Sequence, residues 1–273
     1  MKGLKSINGF GMYLAAIILS SFITSCTEPI EFSFESSTPQ LVVEAKIAEL
    51  QFAEVHLSKT ANINRSQTDN CVRNALIIIE DNMGNSETLT EIEPGRYLSS
   101  NIRGKAGVNY KLSIMTDDQP HVLKSEDIMP KPVNIKRLRA RKSDLPGSDL
   151  MPLPEWEVVV EYDDPADEVN YYRFVEYING VVNSSYVESD KLNNGKSNKS
   201  FLTCSNRSLK SGDTLTVEMQ SISKSVYEYF YGFSIMSRVI QGTSGTNPTS
   251  NVTGANLGYF SAYSVHRKTI IIE

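Results

Sequence analysis

Apolar and polar residues alternate with period two along most of this chain, the pattern of strands that bury one face. Residues 41–47 (LVVEAKI), 53–59 (AEVHLSK), 87–92 (ETLTEI) and 109–115 (NYKLSIM) alternate clearly. Residues 75–80 (ALIIIE) are apolar almost throughout and read as a central strand. Asp81 to Gly84 and Pro94-Gly95 are turn signals, the second leading into Arg96-Tyr97-Leu98, and Val122-Leu123-Lys124 closes the set. This spacing predicts an antiparallel sandwich. Further on, 155–162 (EWEVVVEY), 170–177 (NYYRFVEY) and 213–222 read as strands, and Asn179-Gly180 as a hairpin turn into Val181-Val182. Residues 259–265 and 268–272 read as two terminal strands, with His266 between them. Polar stretches at 61–71, 143–154, 189–200 and 242–258 read as loops.

Only one segment has helical spacing. Tyr229, Phe230, Phe233, Met236 and Ile240 recur every three or four residues, which predicts a buried stripe on a helix near 225–240. Ser225-Val226-Tyr227-Glu228 has the capping-box form, and Gly242 ends the helix. Tyr227 and Tyr231 lie off the stripe and are the candidates for ligand or partner contact. The expected fold is mainly β: two β-sandwich-like (Ig/transthyretin-like) domains, with this one amphipathic helix in the second. Pro130 and Pro132 place the boundary, giving domains at 39–130 and 131–273.

The first 38 residues have a different character. Lys2 and Lys5 precede an apolar run from about Met12 to Ile23, shorter than the roughly 20 residues of a spanning helix but right for a signal peptide. The run ends in Ile23-Thr24-Ser25-Cys26, the form of a bacterial lipobox. The expectation is a leader at 1–25, lipidation (palmitate and related chains) at Cys26, and a polar tether at 26–38. Each buried acyl CH₂ contributes about 0.8 kcal/mol, so two or more chains anchor stably. The membrane is thus expected to be contacted through the N-terminal lipid.

The formal net charge of −5, made more acidic by loss of Lys2 and Lys5, argues against nucleic-acid binding. Beyond Cys26 only Cys71 and Cys204 occur, a disulfide candidate in an oxidising compartment but not a zinc pattern. Asp163, Asp164 and Asp167, with Glu168, offer the oxygen ligands that calcium takes. Their spacing is not an EF-hand, and the Asp-Pro step makes a solvated turn the simpler reading. No metal and no cofactor are expected. His56, His121 and His266 have no partner at ligand spacing, and no GxSxG occurs, so no catalytic residues and no enzyme are expected. Asp213-Thr214-Leu215 has the form of a general bacterial O-glycosylation site at Thr214.

Taken in order, Leu41 to Ala45, Val55-His56-Leu57-Ser58, Ala75 to Ile78, Gly95-Arg96-Tyr97, Tyr110-Lys111-Leu112, Asp164-Pro165, Tyr171-Tyr172-Arg173, Ser221-Ile222-Ser223, Tyr227-Glu228-Tyr229, Asn251 to Gly254 and Leu257 to Phe260 carry a resemblance. The chain resembles a family of Gram-negative outer-membrane lipoproteins described only as a domain of unknown function, whose genes lie beside those of TonB-dependent receptors. The first half is similar to transthyretin-like or carboxypeptidase-regulatory-like domains. The resemblance implies an outer-membrane lipoprotein, on the periplasmic or cell-surface side, that serves a TonB-dependent receptor by capturing substrate or acting as a lid. The alternative is a fimbrillin-like structural or adhesive subunit, with Ile270-Ile271-Ile272 as a donor strand.

Overall fold

The computed structural model describes residues 39–60, 70–117, 121–142, 156–203, 209–238, 247–255 and 257–273. The expected leader and tether, Cys26, Cys204, most of 61–71 and all of 143–154 lie outside the described residues. Among the described residues, no helix is long and apolar enough to cross a membrane.

The chain is mainly β, as the alternation requires. In order, the strands are β1 (Leu41–Ala48), β2 (Phe52–Lys59), β3 (Leu76–Asp81), β4 (Ser86–Thr88), β5 (Thr90–Glu93), β6 (Arg96–Arg103), β7 (Asn109–Met115), β8 (Leu123–Ile128), β9 (Ile135–Lys142), β10 (Trp156–Asp163), β11 (Tyr171–Ile178), β12 (Val181–Ser189), β13 (Ser197–Thr203) and β14 (Thr214–Ile222). Helix α1 (Lys224–Arg238) and the long β15 (Leu257–Ile271) follow.

An eight-stranded ladder runs β12-β11-β14-β15-β1-β2-β6-β5. Two smaller sheets, β4-β3-β7-β8 and β13-β10-β9, accompany it. Inward residues make two cores. In the first, Val43, Ile47, Val55, Leu57 and Tyr97 meet Ile77, Ile79, Leu112 and Ile114. In the second, Tyr172, Phe174, Val217 and Met219 meet Val158, Val160 and Leu202. Both are β-sandwiches.

The strand β15 belongs to both. Its first stretch pairs parallel with β1, from Val42 opposite Leu257 to Ala48 opposite Tyr263. Its second stretch pairs antiparallel with β14, from Ser221 opposite Ser264 to Thr214 opposite Ile271. The expected second half, 131–273, therefore supplies Val252, Phe260 and Ala262 to the first core, while Ile272 fills the second. The two expected terminal strands are one, because His266 and Arg267 continue the ladder rather than turning.

Where β14 does not reach, side chains complete the edge of β15. The Asn251 carboxamide accepts from Phe260 N at 2.9 Å and donates to Phe260 O at 2.8 Å. The buried Asp127 carboxylate accepts from Ala262 N at 2.7 Å. These contacts stand in for a missing strand, since buried backbone groups need partners. Asn251→Ala is expected to lower stability by about 2 kcal/mol, the cost of unpaired backbone groups. Urea unfolding should show a lower midpoint with unchanged slope.

Other departures have local causes. The strand β9 (IKRLRARK) was hidden by its charges; Ile135 and Leu138 face the core, while Arg139 and Arg141 reach Glu161 and Glu157 of β10. Part of the polar 189–200 stretch is β13, whose Ser200 and Leu202 point inward against β10. The helix is capped by Ser223, whose Oγ accepts from Val226 N at 3.4 Å; Ser225 is already helical and lies beside Asn251. Phe233, placed on the buried stripe, is 52% exposed, because α1 rests on the sheet through Val226, Tyr229 and Phe230 instead. Asn179 and Gly180 both take positive φ, 51° and 80°, as a tight type I′ hairpin requires.

Candidate functional site

The outward face of the large ladder carries a groove of about 340 Å³ across the joint between the two sandwiches. Residues two apart on a strand share a face. The strand β11 thus presents Arg173 and Tyr177, β14 presents Glu218 and Gln220, and β15 presents Tyr259, Tyr263 and Arg267. From the first sandwich, β1 adds Lys46 and β2 adds Phe52 and Glu54. Helix α1 closes against this face: Phe230 lies 4.8 Å from the Tyr259 ring, and the Arg173 guanidinium sits 4.2 Å over Phe230.

The two carboxylates of the groove are committed. Glu54 takes Lys46 at 2.9 Å, Arg96 at 2.6 Å and His56 at 3.0 Å. Burial works to raise its pKa, but the hydrogen bonds and charge of Lys46 and Arg96 win and hold it at about 2. Glu218, only 2% exposed, takes Arg267 Nε and Gln220 Nε2, each at 2.6 Å. Arg173 has a different environment. It donates to the neutral Gln220 Oε1 at 3.2 Å, and among the described residues its buried Nε has no partner. Burial pushes Tyr259 up to about 12 and raises Tyr263 and Tyr177 as well, with Glu218 adding to the rise of the last two. All three hydroxyls therefore stay protonated at neutral pH.

The structure separates the acidic cluster. Asp163 ends β10 facing out and pairs with Lys136, Asp164 turns inward, and Asp167 is exposed. Asp164 accepts from Tyr172 Oη and from Gly195 N at 2.9 Å, and it faces the buried Asp190, whose pKa is raised by burial and by that proximity. Among the described residues, no three His, Cys, Asp or Glu side chains converge to hold a metal ion. His56 sits on Glu54, while His266 turns to the other face and accepts from Ile135 N at 3.2 Å. Thr214 opens β14, its N–H held by Asn179, with the preceding Asp213 also tied to Asn179. Cys71 is exposed and bridges to Ser58, whereas its expected partner Cys204 lies outside the described residues, as does Cys26.

Tyr227 and Tyr231 stack at 5.6 Å, and Tyr227 also meets Tyr171 at 5.0 Å. Tyr231 is 48% exposed, so the pair forms a half-open aromatic strip along the helix that bounds the groove. The groove residues themselves escaped sequence reading. Each is an ordinary outward residue on its own strand, and only the ladder brings β1, β2, β11, β14 and β15 together. One signal was present: Tyr259 and Tyr263 lie four apart on one expected strand, placing two aromatic groups on a face that should be merely solvated.

Residues 27–269 match the family described as Domain of unknown function (DUF4249). The chain belongs to this family. The DUF4249 match spans both sandwiches and the groove between them, so the groove lies wholly within the family domain. It also takes in Asn251, which completes the β15 edge, and Leu257 to Phe260 at the start of that strand. No curated protein matches the chain.

Proposed function

We propose that this DUF4249 protein is a lipid-anchored, non-catalytic capture module that presents a small ligand to a TonB-dependent receptor in the same outer membrane. The groove across β15 carries this reading. It joins fixed charge pairs to protonated tyrosines, an arrangement suited to recognition, which needs placed donors and an apolar wall. The lipobox at Cys26 supports a short reach from the membrane, and the family resemblance supports the receptor as partner. The fimbrillin-like alternative needs a detachable terminal strand, and here Ile270 and Ile271 are paired within the ladder while Ile272 is buried in the second core. Affinity purification of the tagged protein from detergent-solubilised native membranes is expected to recover a large β-barrel receptor. Repeated recovery of the intact lipoprotein without one would overturn the receptor role.

A further inference from the structure

The charges that line the groove do not cancel. Lys46, Arg173 and Arg267 face Glu54 and Glu218, and both carboxylates are taken up by other donors. Among the described residues Arg173 pairs with no carboxylate; its partners are the Gln220 amide oxygen and the Phe230 ring. Stacking on a ring uses the face of a guanidinium and leaves its N–H edge in plane, available for a second contact. Here the Nε–H on that edge is shut off from water and, among the described residues, has no acceptor. With Nε closed off, a ligand in the groove that Arg173 lines meets the guanidinium through its terminal nitrogens, and a carboxylate is the acceptor whose charge and paired oxygens suit them best. The protein as a whole is acidic, so an unneutralised cation in a concave site is a local exception.

We propose that the groove binds a small acidic sugar of the uronic-acid kind, its carboxylate on Arg173 and its ring against Tyr177, Tyr259 and Tyr263. This rests on the capture reading of the same groove and names its ligand class. A saccharide fits better than a peptide because the floor is a sheet face whose backbone groups are spent in the ladder. A peptide recognised by strand addition needs free backbone donors and acceptors. Hydroxyl groups instead find side-chain partners in Gln51, Lys46 and the tyrosine hydroxyls, and the C–H faces of the sugar find aromatic rings.

Calorimetric titration of the full-length protein with a galacturonic-acid trisaccharide, its methyl ester and a tri-glutamate peptide tests this. The acid is expected to bind at least tenfold more tightly than the ester, whose methyl groups cap the carboxylates and remove their charge. Arg173→Gln should erase that preference, with Arg173→Lys intermediate. Equal binding of acid and ester to the unaltered protein would overturn the assignment without recourse to any variant. Tighter binding of the peptide would overturn the sugar class. Failure of all three probes, with a receptor still recovered from membranes, would overturn the ligand and leave the capture role standing.

Discussion

Replacing Gly258 with alanine is expected to destabilise this protein by several kcal/mol, enough to prevent folding at 37 °C. A Cβ at this position would lie 1.9 Å from Val43 O, with Val43 N and C at 2.6 Å. Every one of these atoms is backbone, so no side chain can swing away. The φ of +105° adds strain for any L residue. The contact occurs where β15 pairs with β1, Gly258 opposite Val43, so relief requires the parallel ladder to part. That would withdraw Phe260 and Ala262 from the first core. Changes of more than about 4 kcal/mol come from a few mechanisms, backbone strain and core disruption among them, and both act here. Gly180→Ala is the control. It also has positive φ, at 80°, but nothing lies within 4 Å, so its cost should stay near 1–2 kcal/mol. Soluble yield and thermal melting separate the two variants. A Gly258→Ala protein melting within a few degrees of the parent would show that the parallel pairing is dispensable.

Asp127→Asn is expected to gain on the parent as pH rises. Asp127 is buried at the edge of β15, and desolvation pushes its pKa from 3.8 to about 6, against the hydrogen bonds from Ser223, Ala262 and Ile128 that favour the anion. The sign follows from linkage. A carboxyl whose folded pKa is raised costs nothing below pH 3.8, where both states are protonated. The cost grows between pH 3.8 and 6 and is complete above 6, where the folded protein must hold a buried anion. At about 1.36 kcal/mol per pKa unit the full cost is about 3 kcal/mol. Asparagine stays neutral and keeps an oxygen for Ala262 N. Denaturation at pH 4 and at pH 7.5 should show the stability difference between variant and parent moving by about 2.5 kcal/mol in favour of the variant, since a little of the cost is already present at pH 4. A pH-independent difference would mean that Asp127 is well solvated in the folded state.

Strands with clean alternation, such as β1, β2 and β7, were legible because a period of two needs no tertiary information. The Asn179-Gly180 hairpin was legible for a similar reason: its backbone angles are a local property of two residues. Strand β9 was not, because its arginines are outward groups paired with β10, and charge in one dimension looks like loop. The helix shows the same limit. Its length and position followed from spacing, but Ser225 and Ser223 are equivalent until the end of β14 fixes where the first turn begins. Phe233 looked internal because a periodic stripe shows which residues share a face, not how much of that face the sheet covers. The groove was the least legible part. Arg173 and Lys46 are 127 positions apart, and nothing local distinguishes them from solvated side chains.

The shared strand also sets the order of events during biosynthesis. A chain emerging amino-end first, from a ribosome or through a membrane pore, exposes Val42 long before Leu257, its partner in the parallel ladder, exists. Neither sandwich is complete until β15 arrives, since its first half completes the first core and its second half, with Ile272, completes the second. Pairings this distant in sequence are slow to form. The nascent chain therefore remains open for nearly its whole length, and the two sandwiches are completed together at the end of synthesis.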